Sequence, residues 1–393
     1  MPTALAPPTA DAPARPARPA PWWHARRDDL LALAAEGTPV YAYSAATMRR
    51  QAERLLALGV FDRVLYAIKA NAHPDVLHVL RAAGLAFECV SPGEVAHVQR
   101  LFPDLAPERV LFTPNFVPRA EYEGGFAAGV RVTVDNLYPL EAWPEAFAGR
   151  DVFVRLDPGT GRGHHAHVRT AGARSKFGVA LDDLDRLARA VQAAGARVVG
   201  LHAHVGSGVG ETGAWAETAR ILGAAAAAFP DVRVLDIGGG LPVPDGPDAP
   251  RFDLDRAAAL LREAKPEGLE LWAEPGRFLV AEAGVLLCRV TQTKRKGGVR
   301  YVGLDAGMHT LVRPALYGAR HPIANLSRLG APDAGPVEVV GMICESGDAF
   351  GHDVRLPETR EGDVVAIATA GAYGAAMQSR YNLREPAREI VLG

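Results

Sequence analysis

The sequence predicts an α/β plus β architecture: a (β/α)8 TIM-type barrel followed by a C-terminal β-sandwich or β-barrel domain. Three observations carry this. Eight short apolar or β-branched runs recur between residues 64 and 274, and a helix-like segment follows each. The runs are apolar throughout rather than alternating, which suits strands covered on both faces of a parallel sheet. From Cys288 onward, short strand-like runs alternate with Gly, Pro and Asp turns and little helix, the pattern of a mostly β unit. Eight β-α units match the barrel; a doubly wound open sheet is the alternative.

Residues 1–24 read as a disordered tail or linker. Met1 to Pro21 is rich in Ala and Pro and has no apolar signal core. Asp11 and the prolines argue against an amphipathic transit helix. Residues 25–44 include the strand-like Val40-Tyr41-Ala42-Tyr43, which precedes the barrel and is expected to pair into the β domain. Residues 45–284 hold the barrel, with strands at 64–69, 86–90, 110–114, 130–134, 152–156, 198–204, 232–237 and 270–274. Pro74 opens a helix that Gly84 ends. Ser91-Pro92-Gly93-Glu94 has the spacing of a capping box. Residues 181–195 and 214–228 are Ala/Leu-rich with helical periodicity. Residues 285–393 form the β domain, with runs at 285–293, 299–304, 337–342 and 363–369.

At 393 residues, 48% hydrophobic and 22% charged, the chain has the composition of a globular protein with a large core. Its net charge of −2 gives no support for a nucleic-acid or anionic-membrane partner. No apolar run reaches membrane-spanning length. Cys89, Cys288 and Cys344 are too few for a disulfide framework and fit a reducing, cytoplasmic compartment.

In such barrels, reactive groups stand at the C-terminal strand ends. Lys69 ends the first run. An unpaired buried ammonium is costly or shifts its pKa, and the chain has only five lysines. A desolvated lysine forms a Schiff base where arginine cannot. Lys69 is therefore a candidate covalent anchor for an aldehyde cofactor or carbonyl substrate; the alternative is a lysine snorkelling to water. Glu88 and Ser91 flank the end of the second run, and Arg155 lies near the end of the fifth. His204 follows the sixth, as a ring stacker or a core histidine with both nitrogens satisfied. Gly238, Gly239 and Gly240 end the seventh, and their N–H groups suit an anion; a tight turn is the alternative. The triplet is neither a dinucleotide fingerprint nor a Walker loop. Ser207 and Arg277 offer further donors. Glu274 ends the eighth run. Its partner is an arginine or a protonated ring nitrogen, and the latter would make a bound pyridine an electron sink.

Beyond the barrel, Cys344-Glu345-Ser346-Gly347-Asp348 sets a thiol beside two carboxylates. It reads as a proton donor with a substrate-binding acid, or as a small hydrophobe in a polar turn. Arg313 and Tyr317, in Arg-Pro-Ala-Leu-Tyr, can hold a carboxylate, and Tyr373 sits in a glycine-rich turn. His164-His165-Ala166-His167 lacks the spaced ligands of a zinc centre, so no metal is expected. Lys294-Arg295-Lys296-Gly297-Gly298 reads as a solvated hairpin tip.

In combination, Tyr66-Ala67-Ile68-Lys69-Ala70-Asn71, His204-Val205-Gly206-Ser207, Gly238-Gly239-Gly240, Glu274-Pro275-Gly276-Arg277, Arg313-Pro314-Ala315-Leu316-Tyr317, Cys344-Glu345-Ser346-Gly347-Asp348 and Gly371-Ala372-Tyr373-Gly374 resemble the fold type III pyridoxal-phosphate-dependent decarboxylases. Ser175-Lys176-Phe177-Gly178 does so too, and the resemblance runs from about residue 38 to 385. It implies an alanine-racemase-like barrel in a homodimer with shared active sites, and pyridoxal 5'-phosphate as cofactor. Lys69 would carry the cofactor, His204 would stack on its ring, and Glu274 would keep the ring nitrogen protonated. Ser207, Gly238, Gly239, Gly240, Arg277 and Tyr373 would surround the phosphate. Cys344 of the partner subunit would donate a proton. Arg277, Arg313, Tyr317, Glu345 and Tyr373 would contact an amino-acid substrate. The implied reaction converts meso-2,6-diaminopimelate, at its D-centre, to L-lysine and CO2, the last step of lysine biosynthesis. Arg313 would meet the distal carboxylate and Glu345 the amine beside it. Alternatives are a sister decarboxylase of ornithine, arginine or carboxynorspermidine type, and a non-catalytic cofactor-binding relative. Two departures stand out: the His-Val-Gly-Ser-Gly run is closer to ornithine-type enzymes, and Glu88 stands where an aspartate is common.

Overall fold

Eight parallel strands close into a ring, and a second, mixed sheet is built beside it. The computed structural model describes residues 20–159, 171–172, 175–244, 246 and 249–393. The first strand, β1 (Val40–Ser44), lies outside the ring. The ring begins with β2 (Arg63–Ala67), β3 (Ala86–Cys89), β4 (Val110–Phe112), β5 (Arg131–Val134) and β6 (Asp151–Asp157). A two-residue strand, β7 (Val179–Ala180), sits on the edge of β6. The ring continues with β8 (Arg197–His202), β9 (Val234–Asp236) and β10 (Glu270–Ala273). Pairing of β10 with β2 and of β5 with β6 completes the closure.

Alternation along the strands divides the core. Leu65, Ala86, Leu111, Phe153, Val234 and Trp272, each from a different strand, form one cluster. Their neighbours in sequence, such as Val64, Tyr66, Phe87 and Val110, pack with the helices, so the first set faces the barrel axis. Gly200 makes room for it, since a Cβ there would stand 2.4 Å from the Phe153 ring.

The helices start as the sequence indicates. Pro74–Ala82 is capped by the His73 ring, which accepts from Asp75 N–H, and the chain turns out at Gly84 with φ +90. Ser91 caps its helix by accepting from Glu94 N–H at 3.2 Å. The Glu94 carboxylate accepts from Val90 N–H at 2.7 Å, not from Ser91, so only half of the capping box forms.

The second sheet comprises β11 (Gly284–Lys296), β12 (Val299–Leu304), β13 (Ile323–Asn325), β14 (Asp333–Val340), β15 (Ala349–Pro357), β16 (Val364–Ala368) and β17 (Arg388–Leu392). Its main path runs β13-β16-β11-β12-β14-β15. β1 joins it, antiparallel to β11 and parallel to β17. Three strands, β13, β15 and β17, have no counterpart among the apolar runs, because each is short or largely exposed. The tail expectation also shifts. Trp22–Ala25 and Arg27–Ala35 are helical, and Trp23, Leu30 and Leu33 bury against Val285, Leu287 and Val364 of the sheet. Helix thus begins before residue 25. The run His164-His165-Ala166-His167 lies outside the described residues.

The two units meet at a close backbone crossing. A Cβ on Gly371 would stand 2.0 Å from the Val280 carbonyl oxygen, and one on Gly284 would stand 2.3 Å from Gly371 Cα. Gly371→Ala is expected to destabilise the protein by about 1–3 kcal/mol through overpacking, read as a lower urea midpoint.

Candidate active site at the barrel mouth

A cavity of about 270 Å³ opens at the C-terminal ends of the strands, lined by Lys69, Glu88, Thr113, Asn115, Arg155, Phe177, His202, His204, Ser207, Gly239, Gly240, Glu274, Arg277 and Tyr373. The strand that leads to Lys69 stops at Ala67, two residues earlier than the apolar run suggests. Ile68–Ala70 form a 3-10 turn closed by Asn71 N–H donating to Ile68 C=O. The turn brings Lys69 Nζ to 2.5 Å from Glu88 Oε2. Glu88 is buried, and its other oxygen accepts from Thr113 Oγ1. The Lys69 side chain keeps 38% of its surface open, so its nitrogen is reachable from the cavity. Burial opposes the ammonium, but Glu88, Tyr373 and Glu274 outweigh it and raise the Lys69 pKa above its ordinary value.

The second unit pins the same turn. Tyr373 N–H donates to Ala70 C=O at 2.8 Å, and Asn71 Nδ2 donates to Gly371 C=O at 3.2 Å. Tyr373 holds φ +56 and carries the Arg277 guanidinium 4.8 Å above its ring. Arg277, opening the short helix Arg277–Val280, donates to Ser207 Oγ through Nε at 3.2 Å and Nη2 at 3.1 Å.

His204 lies two residues past β8. Its Nδ1 accepts from Gly239 N–H at 3.2 Å, which leaves the proton of the neutral ring on Nε2. Burial first, then Arg155 and Lys69, lower its pKa to about 3. Gly238 N–H donates to Asp236 Oδ1 at 2.9 Å. Two of the three glycine N–H groups are thus used by strand-end side chains, and Gly238 lies behind the cavity rather than on it. The triplet is glycine because of packing as well. Cβ atoms at its three positions would come within 2.4–2.6 Å of the Ala203, Glu274 and Gly206 carbonyl oxygens.

Glu274 stands just past β10 and is 5% exposed. Its Oε2 lies 3.2 Å from His202 Nε2, while Oε1 is buried without a hydrogen-bond partner. Burial pushes its carboxyl up, but His202, Lys69 and His204 overcome this and hold it below the usual range. Arg155 donates to Asn115 Oδ1 at 3.1 Å and lies 4.5 Å from the centre of the Phe177 ring.

Four residues expected at the site do not line this cavity. Cys344 is exposed and contacts the Asn382 side chain. Glu345 accepts from Tyr381 OH at 2.6 Å. Arg313 is buried against His321, with Nη1 at 3.1 Å from Nε2, and Tyr317 ends the same short helix. Asp348 shapes the Cys344 loop, accepting from Met308 N–H and Ile343 N–H, both at 2.6 Å. The sequence reading assigned no role to His202, Thr113 or Asn115. His202 had a signal in its position at a strand end beside His204; the other two had none, because short polar residues after a strand are common.

A family model for the pyridoxal binding domain of pyridoxal-dependent decarboxylases matches residues 45–281. The chain belongs to that family. Among its relatives, the diaminopimelate decarboxylase of Streptomyces coelicolor is 37% identical over 92% of this chain and 86% of that protein. That of Methanothermobacter thermautotrophicus is 35% identical over 93% and 89%. The crystal structure of diaminopimelate decarboxylase from Helicobacter pylori complexed with L-lysine superimposes with a TM-score of 0.85, at 28% identity, covering 93% of this chain and 94% of that one. Among the described residues of this decarboxylase-family chain, no helix is long and apolar enough to cross a membrane.

The depressed pKa values have a measurable consequence. His204 at about 3 and His321 at about 4 refuse a proton that the unfolded chain accepts near the ordinary histidine value. Their contribution to stability is therefore full above that value and is lost as the pH falls toward those of the folded state. The urea midpoint is expected to drop between about pH 7 and pH 5, and NMR should show neither ring titrating in that window.

Proposed function

We propose that this chain decarboxylates meso-2,6-diaminopimelate at its D-centre to L-lysine and CO2, with pyridoxal 5'-phosphate at the barrel mouth. The observation that carries the reading is the buried, unpartnered Glu274 Oε1 in a cavity that also holds Lys69, His204 and the Ser207–Arg277 pair. That set fits a phosphorylated pyridine aldehyde. Glu274 offers an anionic acceptor to a ring N–H, and His204 offers a neutral flat ring for stacking. Arg277, Ser207 and Gly240 face an anion, with Tyr373 and Gly239, whose N–H is taken by His204, beside them.

When bound, the cofactor supplies an electron sink for the bond that releases CO2. The chain's residues do the rest. Lys69 is the amine that would hold the aldehyde, and Glu88 Oε2, at 2.5 Å, is the base within reach of its proton. Glu274 would keep the ring nitrogen protonated. Arg313 and Tyr317 bind the distal carboxylate and Glu345 the distal amine. Cys344 and Glu345 are exposed in one chain and do not line its cavity, which favours a homodimer in which Cys344 of the partner subunit protonates the product carbon. The names of the relatives and the lysine complex of the Helicobacter pylori protein support this substrate.

Purified protein with cofactor and meso-diaminopimelate is expected to form equimolar lysine and CO2; absence of lysine overturns the proposal. Lys69→Ala should lose both the visible absorbance of the bound cofactor and all turnover. Cys344→Ala alone should also be nearly inactive. Mixed in equal amounts and allowed to exchange, the two variants should recover about a quarter of wild-type activity, because half the dimers then hold one intact site. No recovery would count against shared sites.

A further inference from the structure

Against the cavity lies a cluster of which the reaction scheme gives only Glu274 a task. His202 ends β8, Asp236 ends β9 and Glu274 follows β10, so three adjacent strands bring them together. All three are buried, and each sets one side-chain N or O atom within 4.8 Å of the others. His202 Nε2 stands 3.2 Å from Glu274 Oε2. An ionised carboxylate only accepts, so Nε2 carries the hydrogen and donates. Asp236 Oδ1 is occupied by Gly238 N–H. Three buried atoms have no hydrogen-bond partner: His202 Nδ1, Asp236 Oδ2 and Glu274 Oε1.

Two buried carboxyl groups this close do not both ionise readily. Burial, then Glu274, push the Asp236 carboxyl well up, while Glu274 is held down. The environments of the pair are thus driven apart, and the side chain that distinguishes them is His202, which donates to Glu274 and makes no hydrogen bond to Asp236.

We propose that His202 is the positioning residue for Glu274, clamping Oε2 through Nε2–H so that Oε1 is left as a fixed anionic acceptor for the ring nitrogen of the cofactor. This rests on the reading that Glu274 meets that nitrogen. Without the clamp, Glu274 is free to rotate or to share its charge with Asp236, and the ring N–H loses its oriented partner. Phosphate and aldehyde contacts, made elsewhere in the cavity, are unaffected.

The test compares the cofactor with its 1-deaza analogue, in which a C–H replaces the ring nitrogen. Wild type, His202→Phe, His202→Gln and Glu274→Gln are checked for native circular dichroism, and each apoenzyme is titrated with both molecules. His202→Phe is expected to reduce the preference for the nitrogen-containing cofactor by about tenfold, the size of a lost hydrogen bond to a charged group. His202→Gln, whose amide can donate to Oε2, should keep most of it. In the holoenzyme, His202→Phe should lower kcat with KM unchanged, and add no loss when the analogue is loaded. If His202→Phe does not fold, His202→Asn, too short to reach Oε2, takes its place. A preference lost in Glu274→Gln but intact in His202→Phe overturns the proposal while leaving the role of Glu274. A preference intact in Glu274→Gln overturns that role and the proposal with it. Equal losses in the Phe and Gln variants assign His202 to packing and also overturn it.

Discussion

The ion pair between Lys69 and Glu88 is the constraint around which the barrel mouth is arranged. An ammonium within a barrel is tolerated only if anions face it, and anions there need donors of their own. Glu88 meets the first need and Thr113 the second. Glu274 adds its charge to Lys69 and is in turn held by His202. Arg155, buried near Asp135, contributes positive potential that keeps the His204 ring neutral. The mouth is therefore a coupled set of charges. Removing one member leaves another exposed to its full desolvation cost, which explains why so many polar side chains sit at the ends of otherwise apolar strands.

Much of this was legible in the sequence. Each of the eight barrel strands overlaps a short apolar run, because strands covered on both faces have to be apolar nearly throughout. Lys69, His204, Ser207, Gly239, Gly240, Glu274, Arg277 and Tyr373 share one cavity, and all but Tyr373 follow such runs. Other features are set by tertiary geometry. Nothing in the local sequence shows that the turn at Ile68–Ala70 swings Lys69 toward Glu88, or that Gly238 N–H goes to Asp236. The edge strands of the second sheet were hidden for a different reason. β15 exposes His352 and Asp353, and β17 is half-exposed, so neither has the apolar signature of a covered strand.

The histidines divide by environment. His202 and His204 are two residues apart, at and just past the end of β8, yet one bonds a carboxylate and the other accepts from a backbone N–H. His321, in the second unit, turns Nδ1 to the Ala368 carbonyl and Nε2 to Arg313. In each case the partner of one ring nitrogen defines what the other can do. Residue type alone does not separate the three; their surroundings do.

The pairing of β1 also bears on how the protein is made. This strand precedes every barrel strand in the chain, yet Val40 pairs with Leu287 and with Arg388. The barrel strands between them pair with the next strand round the ring in chain order, all but the β10–β2 closure, whereas β1 is held by strands that follow the whole barrel. Gly371 and Tyr373, which pin the Lys69 turn, arrive in that late portion. Lys69 is therefore synthesised ahead of most of the barrel, while the groups that pin its turn arrive only after the last barrel strand.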